Sequence, residues 1–307
     1  MNQILSSIGI GASEIAAACG ISRYRSRYGL WLEKTGRAAP FAGNVATRLG
    51  HLLEPRARQL YADATGYSVW TPPSSMFHPG HPWARATPDG VVEPRDSSRH
   101  LVQIKAVGYF VGRRMRYELP IEYEAQVQWE MFVADADRND LAVLVGSDDL
   151  EWERVILGDS APGDIFSRAT LDVHTIHRSE AAIASLLDGA RAFMDLVTTD
   201  TQPPVDGSDS TTAALNDRIR SSRPTLALSV DDAHQEVAEL RAAVALARTS
   251  ADRAALAKNR IRDVMLTAGA NRITTDDGPI DLRTDKRGVV SLHLPRAWGA
   301  DNPEGIA

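Results

Sequence analysis

The chain has 307 residues, of which 43% are hydrophobic and 24% charged, with a formal net charge of −6. These are the proportions of an ordinary globular protein with room for one large and one smaller domain. A single cysteine, Cys19, excludes an internal disulfide, argues against a cysteine-rich zinc or iron–sulfur site, and is compatible with a reducing cytoplasm. The first twenty residues lack the basic start of a secretory signal, and no apolar run approaches the roughly 18 residues of a membrane span. No membrane segment is expected. The overall acidity hides an asymmetry: residues 20–60 carry eight basic side chains against two acids, whereas residues 122–200 carry 17 acids against five arginines. One side of the protein is therefore expected to be basic while the remainder repels nucleic acid, although a solvated charged surface is the default for such runs.

In chain order, Gly9-Ile10-Gly11-Ala12-Ser13 reads as a turn, with Ser13 capping a short helix that Gly20 stops. A second helix is predicted over residues 26–35. Residues 44–64 show a helical apolar repeat ended by Gly66, with Pro55 predicting a kink after Glu54. Strand signals follow near 67–71, 83–92 and 100–107, then a helix over 122–133, strands near 140–146 and 151–157, and a helix over 179–198. This order predicts an α/β (α+β) core rather than a doubly wound nucleotide fold. Residues 1–200 form the predicted main domain, and the Pro-, Ser-, Thr- and Asp-rich stretch 201–224 reads as a linker. Residues 225–307 are predicted to hold a helical arm over 230–268 and a small β-module, with an Asp276-Asp277-Gly278 turn.

The most informative stretch is Thr87-Pro88-Asp89-Gly90, followed by Gln103-Ile104-Lys105. The two-residue period of a strand puts Gln103 and Lys105 on one face and Ile104 on the other. Two polar groups on one face of an apolar strand are costly unless something there uses them. An Mg²⁺ site would use them, because it takes one or two carboxylates, a neutral oxygen, water and substrate phosphate. The bland alternative is a half-buried strand whose polar face meets solvent. No GxxxxGK[ST] phosphate loop occurs, so no nucleotide cofactor is expected. His78 and His81 lack partners at zinc spacing.

Four patterns occur in order: Gly11-Ala12-Ser13; Gly50-His51-Leu52-Leu53-Glu54-Pro55; the Asp89, Gln103, Lys105 set; and Tyr123-Glu124-Ala125-Gln126-Val127-Gln128-Trp129. Together, over about residues 8–160, they resemble the lambda exonuclease/YqaJ-like viral recombinase family, a branch of the PD-(D/E)XK nucleases. The resemblance implies a restriction-endonuclease-like core with a mixed sheet flanked by helices. It implies that Asp89 is the central metal-binding aspartate, that the Ile104 carbonyl completes the coordination, and that Lys105 is the catalytic lysine. Glu54 matches the helix-borne acid of the same cluster, Gln126 the glutamine behind the site, and Ser13 a residue that holds a DNA phosphate. Arg23, Arg25 and Arg27 are neighbours of that phosphate but do not map individually. Gln103 departs from the family by standing where a metal-binding glutamate is usual, and weaker metal affinity is expected; Glu93 lies near as a substitute. The resemblance further implies an Mg²⁺-dependent exonuclease (Mn²⁺ as a substitute) acting 5′-to-3′ on double-stranded DNA ends. A single-strand-annealing recombinase as partner, a homo-oligomer, and a phage or prophage gene read in the bacterial cytoplasm also follow from it. The alternatives are an inactive nuclease-fold DNA-binding module and an endonuclease with the same site.

Overall fold

The structure, a computed structural model, describes residues 9–43, 45–93, 99–146, 169–222, 234–287 and 290–295. It divides into two compact units, Met1–Arg223 and Pro224–Ala307. In the first unit, β1 (Ile10–Gly11), α1 (Ile15–Ala18), α2 (Arg27–Lys34) and α3 (Val45–Thr65) precede the strands β2 (Val69–Trp70), β3 (Met76–His78), β4 (His81–Ala86), β5 (Gly90–Val92) and β6 (His100–Val107). Then come α4 (Tyr109–Met115), α5 (Ile121–Ala134), β7 (Arg138–Val145), β8 (Thr170–His177), α6 (Glu180–Thr198) and α7 (Asp209–Ser222).

The main sheet runs β2-β5-β6-β7-β8, antiparallel throughout except for β6 against β7. A parallel pair needs a long crossover, and α4 with α5 supplies it. The strand period then sorts the side chains. Val102, Ile104, Ala142 and Leu144 pack with Leu49, Leu53, Ala57 and Tyr61 of α3. On the other face, Leu141 and Val143 pack with Val127 of α5, and Leu101 packs with Met131. Burial of these side chains on both faces, at roughly 1.5–3 kcal/mol each, fixes the register of β6.

Helix α5 is buried nearly all round because a second sheet covers its outer side. That sheet, β1-β4-β3, joins α1, α2 and α6 around Trp129, which is fully buried and sends its indole N–H to the Ile10 carbonyl at 3.4 Å. Its polar residues Glu122, Gln128 and Glu130 are themselves buried. At its C-terminus, Asp135 takes the left-handed conformation (φ 51°) and its N–H closes on the last turn. Away from this layer, Asp140 on β7 accepts from Tyr61 at 2.6 Å and from Thr175 at 2.8 Å, and lies 2.9 Å from His100 Nε2. Burial works against this carboxylate, yet those hydrogen bonds hold its pKa down to about 2, tying α3, β6, β7 and β8 together.

Several expectations are corrected. Ser13 is not a helix cap: α1 starts after Glu14, whose side chain does not cap it either. The stretch 83–92 is two strands, β4 and β5, separated by Thr87–Asp89. Residues 201–224 are not all linker. Helix α7 lies within them, with Thr211 buried, Ser210 Oγ accepting from the Ser26 N–H at 2.9 Å, and Arg218 donating to Tyr28. Strands β1, β3 and β8 and helix α4 had no sequence expectation. The helix expected over residues 44–64 is present as α3, with Pro55 inside it. The strand expected over 151–157 lies outside the described residues.

The second unit holds α8 (His234–Thr267) and an antiparallel meander of β9 (Arg272–Thr275), β10 (Gly278–Thr284) and β11 (Val290–His293). Met265, Ile280 and Leu292 form its small core. Among the described residues, no helix is long and apolar enough to cross a membrane.

Candidate active site

Asp89 stands at the entry to β5, on a turn pressed against the sheet. A Cβ on the following Gly90 would come within 2.5 Å of Val69 Cγ1 and 2.6 Å of Val102 Cγ1, so only glycine allows this approach. The approach delivers the Asp89 carboxylate to β6, where Oδ2 accepts from the Ile104 N–H at 2.7 Å and from Gln103 Nε2 at 2.5 Å. Gln103 is buried, and its Nε2 also lies 3.5 Å from the Ile104 carbonyl. Its Oε1 is buried with no hydrogen-bond partner. Such an orphan acceptor is costly and points to a missing cation or donor.

Lys105, two residues on and on the same face, donates from Nζ to Gln126 Oε1 of α5 at 2.8 Å and lies 5.0 Å from the centre of the Tyr123 ring. Gln126 Nε2 in turn donates to Glu130 Oε1 at 2.9 Å, and Asn139 Nδ2 donates to Glu130 Oε2 at 2.8 Å. Glu130 thereby fixes which end of the Gln126 amide meets the lysine. Glu54 reaches the site from α3, where it is ion-paired to Arg58, and Arg58 Nε donates to the Asp89 carbonyl at 2.8 Å. Glu93 is exposed beyond the other end of β5. Gln128 points away from the site, accepting from the Ser179 N–H and donating to the His177 carbonyl.

These charges act on one another. Burial pushes the Asp89 carboxyl up to about 6, with the Glu54 charge adding to the rise and Lys105 and Arg58 opposing it. Burial likewise pushes Glu130 up to about 8, reinforced by Asp89. The Lys105 ammonium is lowered by burial, against the pull of Asp89, Glu130 and Glu54. So Asp89, Glu130 and Lys105 share one electrostatic neighbourhood, as shifted groups in a working site do.

The oxygens offered around Asp89 are a carboxylate, the Ile104 carbonyl and, after a half-turn of its amide, Gln103 Oε1. This all-oxygen set suits Mg²⁺ or Mn²⁺ that keeps several waters. Among the described residues, no three His, Cys, Asp or Glu side chains converge as a metal-binding group. The set is thus poor in charge but fits a hard cation.

Beside it lies a cavity of about 220 Å³, lined by Ser13, Ser75, Arg85, Thr87, Gln126 and Glu130 among others. Ser13 is exposed there. Arg23 and Arg25 are each neutralised: Arg23 Nε lies 3.2 Å from Glu122 and Arg25 Nη2 2.6 Å from Glu33. Arg27 lies against Phe193, 5.9 Å from the ring centre. The guanidinium that does line the cavity is Arg85, with a buried, unpartnered Nε and Nη2 3.6 Å from Glu14. Sequence reasoning missed Arg85 and Glu130. The signal for Glu130 was its position one helical turn after Gln126; Arg85 had none beyond a lone charge between two alanines.

Residues 6–137 match the YqaJ-like viral recombinase domain. The chain is 24% identical over 162 residues to the uncharacterized protein YqaJ of Bacillus subtilis, an alignment covering 52% of this chain. It spans about half, 50%, of that relative's length. Among solved structures, the LHK-Exo complex with dAMP superposes with a TM-score of 0.50 at 23% identity, over 64% of this chain and 91% of the other. An alkaline exonuclease (LHK-Exo) from Laribacter hongkongensis gives 0.49 at 22% identity, over 64% and 90%. The fold is therefore the mixed α/β fold of the LHK-Exo structure in complex with dAMP, and residues 6–137 of this chain are similar to the YqaJ-like viral recombinase domain.

Proposed function

We propose that the first unit is a divalent-metal-dependent deoxyribonuclease that degrades duplex DNA from its ends, 5′-to-3′, and supplies single strands to an annealing recombinase. The observation that carries this reading is the convergence of Asp89, Gln103 and Lys105, with the Lys105 ammonium held on Gln126. The match of residues 6–137 to the YqaJ-like viral recombinase domain supports the reading further. Asp89, the Ile104 carbonyl and Gln103 would hold the cation, with Glu54 released from Arg58 to join them. A bound Mg²⁺ or Mn²⁺ supplies an activated water and charge neutralisation at phosphorus. Lys105 stabilises negative charge that develops beside that water. Arg85 and Ser13 offer donors to a backbone phosphate in the adjoining cavity.

The test uses linear and covalently closed duplex DNA with Mg²⁺ or Mn²⁺, for the parent protein and Lys105→Ala. Linear DNA should be digested and closed circles spared, with the variant slower by about 10²-fold or more. Inert wild type, or undiminished cleavage by the variant, refutes the reading; cleavage of closed circles replaces it with an endonuclease. One observation favours a second reading, a nuclease-fold DNA-binding module without catalysis. The Gln103 amide nitrogen already bridges Asp89 and the Ile104 carbonyl, and Glu54 is held by Arg58. In that case duplex binding persists while digestion is absent with either metal.

A further inference from the structure

Helix α4 follows directly after the strand that carries Gln103 and Lys105, and it presents a face that the proposed chemistry leaves unused. One side of the helix is fixed to the core. Met115 is buried, and a Cβ on Gly112 would stand 2.4 Å from Val145 Cγ1. The other side carries Phe110, Arg113, Arg114 and Tyr117, spaced i, i+3, i+4 and i+7 along one helical stripe. The stripe continues past Met115 through a turn in which the Tyr117 N–H donates to the Arg114 carbonyl at 3.0 Å. All four side chains are exposed, Phe110 by 71% and Tyr117 by 89%. Arg113 lies 5.8 Å from the centre of the Tyr109 ring, and neither Arg113 nor Arg114 has a carboxylate partner among the described residues. The neighbouring Arg116, by contrast, is paired with Asp172 at 2.7 Å.

Two exposed rings bracketing two unpaired guanidiniums make an unusual solvent face. An apolar partner helix would bury those two charges without compensation. A duplex offers its backbone but no open base face to the rings. A single strand satisfies both features, with bases on the aromatic faces and phosphates on the arginines between them. From Phe110 to the helix end at Met115 the stripe rises about 7–8 Å, at 1.5 Å per residue, and the turn to Tyr117 carries it further. That matches about three bases stacked at roughly 3.4 Å.

We propose that the Phe110–Tyr117 face of α4 binds a single strand of DNA, the strand left when its complement is degraded; the proposal rests on the DNA-degrading reading above. The test titrates the full chain into a fluorescently labelled thymidine oligonucleotide in EDTA, where no cleavage occurs, and reads anisotropy. The Phe110→Ala/Tyr117→Ala double variant should lose about tenfold or more in affinity, and Phe110→Trp should retain it. Arg113→Ser/Arg114→Ser should flatten the salt dependence by the equivalent of nearly two phosphate contacts. Unchanged affinity in the double variant overturns the proposal. So does a loss of oligomer mass on sedimentation with the same substitutions, which would assign the stripe to a contact between copies of the chain. Digestion of linear duplex is scored separately. Duplex degraded by a protein whose single-strand affinity ignores the rings refutes the stripe alone. A protein inert on duplex, whose single-strand binding depends on the rings, refutes the nuclease reading alone.

Discussion

Replacing Glu130 with glutamine tests whether a carboxyl behind Lys105 is kept neutral by the fold. Glu130 is 0% exposed, and burial, reinforced by the Asp89 charge, pushes it from 4.5 up to about 8. Between those two values the unfolded chain has released the proton while the folded chain retains it. The folded state then binds more protons, so stability is lost as pH rises through this window and levels off above about 8. Glutamine has no such titration. At position 130 its amide oxygen would still accept from Gln126, while its nitrogen would face Asn139, whose amide must turn over to offer the buried, unpartnered Oδ1. The stability difference between Glu130→Gln and the parent should therefore shift in favour of the variant by ~1.4 kcal/mol per pH unit, about 4 kcal/mol between pH 5 and 8. Urea unfolding followed by tryptophan fluorescence at several pH values measures it. Parallel stability curves across that range would refute a neutral, buried Glu130.

Gln103→Glu adds a carboxylate beside Asp89 and should tighten Mn²⁺ binding about tenfold or more, read by calorimetry without DNA; equal or weaker binding removes Gln103 from the proposed cation site. Gly90→Ala puts a methyl group against Val69 and Val102 and should lower stability by about 1–3 kcal/mol in denaturant, while a neutral effect would contradict the close turn that delivers Asp89. The Cys19 thiol, pushed up to about 11 by burial, should react with a disulfide reagent at pH 8 far more slowly in the folded protein than in urea; equal rates would show an open thiol.

Much of this protein was legible in its sequence because local chemistry dictates it. The two-residue period of β6 set Gln103 and Lys105 on one side and Ile104 on the other, and both packing faces follow that division. Gly66, with φ +66°, ends α3 where the apolar repeat stopped, and Ser26 caps α2 by accepting from the Gly29 N–H. Ser13 misled because a small hydroxyl residue beside a helix signals a cap, whereas the chain turns once more before α1 begins. Helix α7 was hidden in a polar, Pro-led stretch, since its few anchors, Ser210, Thr211 and Arg218, gain meaning only against α2. The strand β8 is barely amphipathic by sequence and is stabilised mainly by its ladder with β7.

The sequence by itself determined the strand pattern, the helix periods and the order of Asp89, Gln103, Lys105 and Gln126. Only the tertiary structure decided which arginine faces the cavity, because Arg23 and Arg25 meet carboxylates that lie far away or on other elements, while Arg85 does not escape inward until β4 joins β1. It also decided that Glu130 stands behind Lys105. Charge neutralisation and burial depend on distances through space, and no spacing along a chain encodes them.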